Sequence, residues 1–193
     1  MPDVVTHLYD PEVGVCPDLC SLSDLDAERV LDRLRRTHRP SLKPTYLSRR
    51  RATERWLSEQ ASKVLRRRFK EGPSYFFLGD FSHTEDLSRP AALLLPMSTL
   101  PTDGITFTLG DSMNVCERSD ARVFSFDEIS ALFEADEIAP EFGLSDRHGF
   151  QPNFIEVQLW DRSELLRSDL RQTQRVPARH LQNIASGIKQ PIG

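Results

Sequence analysis

The stretch Asn153-Phe154-Ile155-Glu156-Val157-Gln158-Leu159-Trp160 constrains the fold more than any other part of the chain. Its residues alternate at the spacing that sends successive β-strand side chains to opposite faces. Ile155, Val157 and Leu159 share the face that must meet a core, and Phe154, Glu156, Gln158 and Trp160 share the other. Ile105-Thr106-Phe107-Thr108-Leu109 alternates in the same way, between the turn-forming pairs Asp103-Gly104 and Gly110-Asp111. Val4 to Tyr9, Tyr75 to Gly79, Ala92 to Leu95 and Arg122 to Phe126 are further strand candidates.

Helix signals fall mainly before these strands. Ser23 and Asp26 resemble a capping pair, and Ala27, Val30, Leu31 and Leu34 give one apolar face up to His38. A longer helix is expected from Tyr46 to Phe69, its stripe being Trp56, Leu57, Ala61, Val64, Leu65 and Phe69, with Gly72-Pro73 ending it. Ser125 and Glu128 predict a capping box for a short helix containing Ile129, Leu132 and Phe133. Ala139 to Pro152 reads as a polar loop. The expectation is one α+β domain over residues 1–193, a mostly antiparallel twisted sheet with helices packed on one side.

Apolar runs such as Ala91 to Leu95 are too short to span a bilayer, so no membrane is expected. Met1-Pro2-Asp3 lacks the opening of a signal peptide, and three cysteines argue against a disulfide framework. Both features predict a cytoplasmic protein. The net charge of −4 conceals two poles: residues 1–75 carry 15 Lys/Arg and 11 Asp/Glu, whereas residues 80–164 carry 5 and 17. The basic pole concentrates on the long helix, where Arg49, Arg50, Arg51, Arg55, Lys63, Arg66, Arg67, Arg68 and Lys70 face only Glu54 and Glu59. Such a run tracks a nucleic-acid backbone or an acidic protein surface, or is simply a solvated helix face.

Glu156 is the candidate catalytic residue, because a carboxylate between Phe154 and Trp160 suits a site with apolar walls. The competing account places it in an ion pair with an arginine beneath a second layer. His7 lies between Val5 and Tyr9 on one face of the first strand, either as a proton carrier or as a histidine satisfied by a backbone carbonyl. Cys16 and Cys20 have a spacing compatible with two zinc ligands, but Cys116 and His7, His38, His83 and His148 supply no second paired spacing, so no metal is expected. The sequence holds no Gly-rich phosphate loop, nucleophile elbow or His-Glu-x-x-His helix.

His7 on the opening strand, Tyr75-Phe76-Phe77 after two helices and Glu156 on a late strand occur in an order that resembles ADP-ribosyltransferase-like domains. The likeness is greatest to the branch containing nucleic-acid-modifying toxins and RNA 2′-phosphotransferases. Arg175-Val176-Pro177-Ala178-Arg179-His180-Leu181 is similar to the strand and turn that follow the catalytic glutamate there. The threonine or glycine signatures usual around the first strand are absent. The resemblance implies NAD as cofactor, with His7 holding a ribose hydroxyl and Tyr75 stacking on a ring. Glu156 would stabilise the positive charge that develops as nicotinamide leaves, and the basic helix would receive a nucleic-acid or protein acceptor. Two alternatives stand beside it. One is a non-catalytic binding module using the basic helix 46–70; the other is a hydrolase or nuclease pairing His7 or His83 with Glu156.

Overall fold

The computed structural model describes residues 1–11, 19–84, 86, 88–135, 137–138 and 154–161, together with the backbone of 175–177. Cys16, His148, the expected loop Ala139 to Pro152 and the tail beyond Pro177 lie outside the described residues.

Six strands form one sheet: β1 (Val4–Tyr9), β2 (Ser74–Leu78), β3 (Ala91–Pro96), β4 (Ile105–Leu109), β5 (Ile155–Leu159) and β6 (Arg175–Pro177). Their order is β4-β5-β2-β1-β3-β6, and every neighbouring pair is antiparallel. The helices are α1 (Asp24–Thr37), α2 (Tyr46–Val64), α3 (Ser112–Val115) and α4 (Phe126–Glu134). This is the expected α+β class with an antiparallel sheet. No helix among the described residues is long and apolar enough to cross a membrane.

The helices occupy both faces of the sheet rather than one. Val5, Phe76, Leu93, Ile105, Phe107, Val157 and Leu159 point into the main core, where α4 contributes Ile129, Leu132 and Phe133. On the opposite face Leu57 and Ala61 of α2 pack with Trp160 and Val123. Helix α1 reaches the second layer through α2, its Ala27 and Leu31 clustering with Leu47. The sheet is therefore buried on both sides, and all five residues of β5, Glu156 and Gln158 included, are buried.

The capping signals form as the sequence predicts. Ser23 Oγ accepts from the Asp26 amide at 3.2 Å. Ser125 and Glu128 complete a reciprocal box, with bonds of 3.2 and 2.9 Å. That box also explains why Arg122 to Phe126 is not a strand. Phe124 makes a single bridge to Phe107, and Ser125 then turns the chain into α4.

Helix α2 is shorter than its apolar stripe implies. It ends at Val64, Leu65 is the C-cap, and Arg66 takes the left-handed conformation at φ 53°. A left-handed residue here is a common way to stop a helix, and glycine is its usual occupant. Leu65 and Phe69 continue the helical spacing in sequence, but Arg66, Arg67, Arg68 and Phe69 belong to an irregular segment leading to Gly72-Pro73. Because a Cβ makes this conformation unfavourable, Arg66→Gly should raise stability by up to about 1 kcal/mol after glycine's own entropic cost. Urea unfolding measures this, and a lower midpoint for Arg66→Gly would contradict the helix end described.

Candidate functional site

Strand register lines up the polar residues on the face beneath α2. Phe77 pairs with Glu156 and Thr108 with Glu156, while Tyr75 and Thr106 both pair with Gln158. These rows put Tyr75, Thr106, Thr108, Glu156 and Gln158 on one face of the sheet.

A directed chain of hydrogen bonds joins them. Trp160 Nε1–H donates to Thr106 Oγ1 at 2.8 Å, and Thr106 donates to Gln158 Oε1 at 3.0 Å. Gln158 Nε2 then donates to Thr108 Oγ1 and to Glu156 Oε1, both at 3.0 Å. Thr108 Oγ1–H in turn donates to the Gly110 carbonyl at 2.9 Å. The amide uses its oxygen and its nitrogen in opposite directions, so this network fixes which way Gln158 points. Such a chain answers the cost of burying polar groups, since each donor reaches an acceptor.

The other half of the cluster comes from α2. Arg50 Nε lies 3.4 Å from Glu54 Oε1, and its guanidinium sits over the Tyr75 ring, 3.8 Å from the centroid. Tyr75 Oη donates to Glu54 Oε1 at 3.3 Å. Burial opposes the charge on Arg50, but Tyr75, Glu156, Tyr46 and Glu54 outweigh it and hold the guanidinium above its ordinary pKa. Burial also raises the Tyr75 phenol well above its usual value, against the pull of Arg50. At neutral pH Tyr75 is therefore a neutral ring under a cation.

Glu156 is 8% exposed. Burial pushes its carboxyl above the ordinary glutamate value, and Asp111 acts in the same direction. Arg50, the Ser112 hydroxyl and the Gln158 amide favour the carboxylate and offset part of the rise. Ser112 Oγ makes no hydrogen bond of ordinary geometry, so its effect on Glu156 is that of a nearby dipole.

His7 does not join this cluster. Val5 pairs with Leu78 and Thr6 with Phe77, which sets His7 beside Phe76 on the main-core face, opposite Glu156. Its ring lies 5.3 Å from that of Phe76 and 6.1 Å from that of Tyr9. Burial lowers its pKa to about 4, against a hydrogen bond to the Tyr75 carbonyl and together with the charge of Arg89. The imidazole is neutral at pH 7, and its Nδ1–H donates to Tyr75 O at 2.7 Å. His7 reaches Tyr75 through that carbonyl. His83 is exposed in the turn after β2, whereas Glu156 is buried.

The six arginines of the expected contact surface divide. Arg49 pairs with Glu117 at 2.7 Å, Arg50 is the half-buried cation over Tyr75, and Arg51 binds Asp24 and the Leu22 carbonyl. Arg66, Arg67 and Arg68 are exposed and pair with no carboxylate among the described residues. An open depression on the outer side of the α2 end is lined by Ser58, Glu59, Ser62, Lys63, Arg68 and Phe69.

Asp111 and Ser112 could line a site on the sequence alone, with turn chemistry the simpler account, whereas Glu54, Thr106, Thr108 and Phe69 are not marked there as site residues. The alternation of Thr106 and Thr108 with Ile105, Phe107 and Leu109 was the available signal, because it predicts a polar row able to meet Glu156 and Gln158. Comparison with protein-family models, curated proteins and solved structures finds no match.

The raised carboxyl gives a signed prediction. A group protonated more readily in the folded state lends stability below its unfolded pKa, 4.5 for Glu156, and loses it as pH rises through the folded value. Glu156→Gln keeps an oxygen for Gln158 and removes that loss. Its melting temperature relative to wild type should therefore improve as pH rises from 4.5 through the folded value and level off above it. An advantage that shrinks with rising pH would contradict a raised Glu156.

Proposed function

We propose that this protein is a non-catalytic binding module that takes an anionic partner, a nucleic acid or an acidic protein surface, on the basic segment after α2. The observation that carries this reading is the contrast between the two charged regions. Glu156 is buried and faces Arg50, while Arg66, Arg67 and Arg68 are exposed without a carboxylate partner among the described residues. Guanidinium groups suit phosphate and carboxylate alike, since their planar donors can bind two oxygens at once. Positive residues after a helix C-terminus also complement its dipole, and this accounts for part of their placement.

A second reading, the NAD-dependent ADP-ribosyltransferase-like enzyme centred on Glu156, draws support from the upward shift of that carboxyl, since perturbed acids gather at catalytic sites. It requires α2 to move away from the sheet, because Arg50 and Glu54 cover the polar face, and it leaves His7 on the opposite face. Nicotinamide release from NAD separates the readings, and turnover abolished by Glu156→Gln would replace the binding module with the enzyme.

For the module, changing Arg66, Arg67 and Arg68 together to Ala should weaken oligonucleotide binding at low salt without unfolding the chain. The slope of log affinity against log salt should become shallower by about two, since each lost phosphate contact on a single strand removes roughly 0.7. Equal affinity and slope for wild type and the triple variant, measured by fluorescence anisotropy, would remove these arginines from the interface.

A further inference from the structure

The end of α2 brings an aromatic ring to the charged surface. Had the helix continued to Phe69, that side chain would have lain along the buried stripe with Leu65. Beyond the left-handed turn at Arg66, Phe69 still packs with Leu65 against the Leu57, Ala61 and Trp160 cluster, and it also borders the depression, where it is half-buried. Trp160 lies against the ring at 4.6 Å between centroids and a 31° tilt, and occupies one ring face. The Arg67 guanidinium sits over the ring 5.1 Å from its centroid. Trp160 is in turn anchored to the sheet by its indole bond to Thr106. The ring is thus backed by Trp160 and has the exposed Arg67 over it.

We infer that the anionic partner is a single-stranded nucleic acid, with one base stacked on Phe69 and its phosphates held by Lys63 and Arg68. This inference rests on the anion-binding role proposed above and names the ligand of that surface. A base entering between Phe69 and Arg67 keeps the ring covered and gains a guanidinium plane on its far side, an arrangement common to single-strand sites. Ser58 and Ser62, one helical turn apart on α2, offer hydroxyls along the same depression. Glu59 is the one acid on its rim and directs the backbone towards Lys63 and Arg68. A duplex keeps its base faces stacked on one another and has no free face to offer the ring. An acidic peptide would pair with the cations and leave Phe69 uncovered.

The experiment compares a single strand of about twelve nucleotides, within the length one such site spans, with the matching duplex, heparin and polyglutamate. Wild type should prefer the single strand. Phe69→Leu should weaken single-strand binding roughly ten- to a hundredfold, as loss of one base–aromatic stack does, while leaving heparin binding and the salt slope unchanged. Phe69→Tyr, which keeps the ring, should restore the affinity and controls for damage to the Trp160 packing. Ultraviolet crosslinking of an iodouridine strand to the wild-type chain should give adducts within residues 67–70. Equal binding of single strand and duplex, a Phe69→Leu variant with full single-strand affinity, or adducts only elsewhere would overturn the inference and leave the anion-binding reading intact. Selective binding of polyglutamate would also overturn it, in favour of an acidic protein partner. No binding to any of the four polyanions would overturn both.

Discussion

The half-buried Arg50 makes the interaction on which the arrangement of this protein depends. It comes from α2, rests on the Tyr75 ring, lies against Glu54 and faces Glu156 on the central sheet. Removing a guanidinium from water is costly, and a buried pair rarely stabilises more than apolar residues of the same size would. Its effect is directional. Leu57 and Ala61 can meet an apolar sheet surface in several registers, but a cation that must sit over the Tyr75 ring admits far fewer. The threonine–glutamine chain strengthens this by fixing the polar face itself, since Gln158 satisfies Thr106 and Thr108 in only one orientation. Breaking one partner leaves the others buried and unmatched, so the layer holds or fails as a unit.

The position of α2 then decides what the surface presents. With Leu57 and Ala61 seated near Trp160, the helix ends at the left-handed turn of Arg66, where three arginines in succession are exposed. The same turn brings Phe69 onto Trp160. A buried network and an exposed basic surface are therefore linked through one short segment. The network supplies rigidity, and the segment supplies charge and a ring.

Local features were legible in the sequence, while features set by pairing were not. Alternation in residues 105–109 and 155–159 gave both strands and both of their faces, because period two is a property of a single strand. The caps at Ser23 and Ser125 were equally local. Whether His7 shares a face with Glu156 depends on the registers of β1 with β2 and of β2 with β5, and those place it beside Phe76 instead. The end of α2 was hidden for a different reason. Leu65 and Phe69 keep helical spacing and remain in the same apolar cluster, so the pattern survives although the helix does not. Arg50 carried no mark among its neighbours Arg49 and Arg51, since only the packing of α2 decides which of three consecutive arginines lies over Tyr75.

The most direct measurement is a backbone-amide NMR titration of the wild-type chain with a single-stranded oligonucleotide, followed together with the Trp160 indole resonance. The account predicts the largest shifts across residues 62–70 and at that indole, with Ile155 to Leu159 and Val4 to Tyr9 almost unmoved. Shifts concentrated at Glu156 and its strand neighbours, with residues 62–70 silent, would place the functional surface beneath α2 and contradict it.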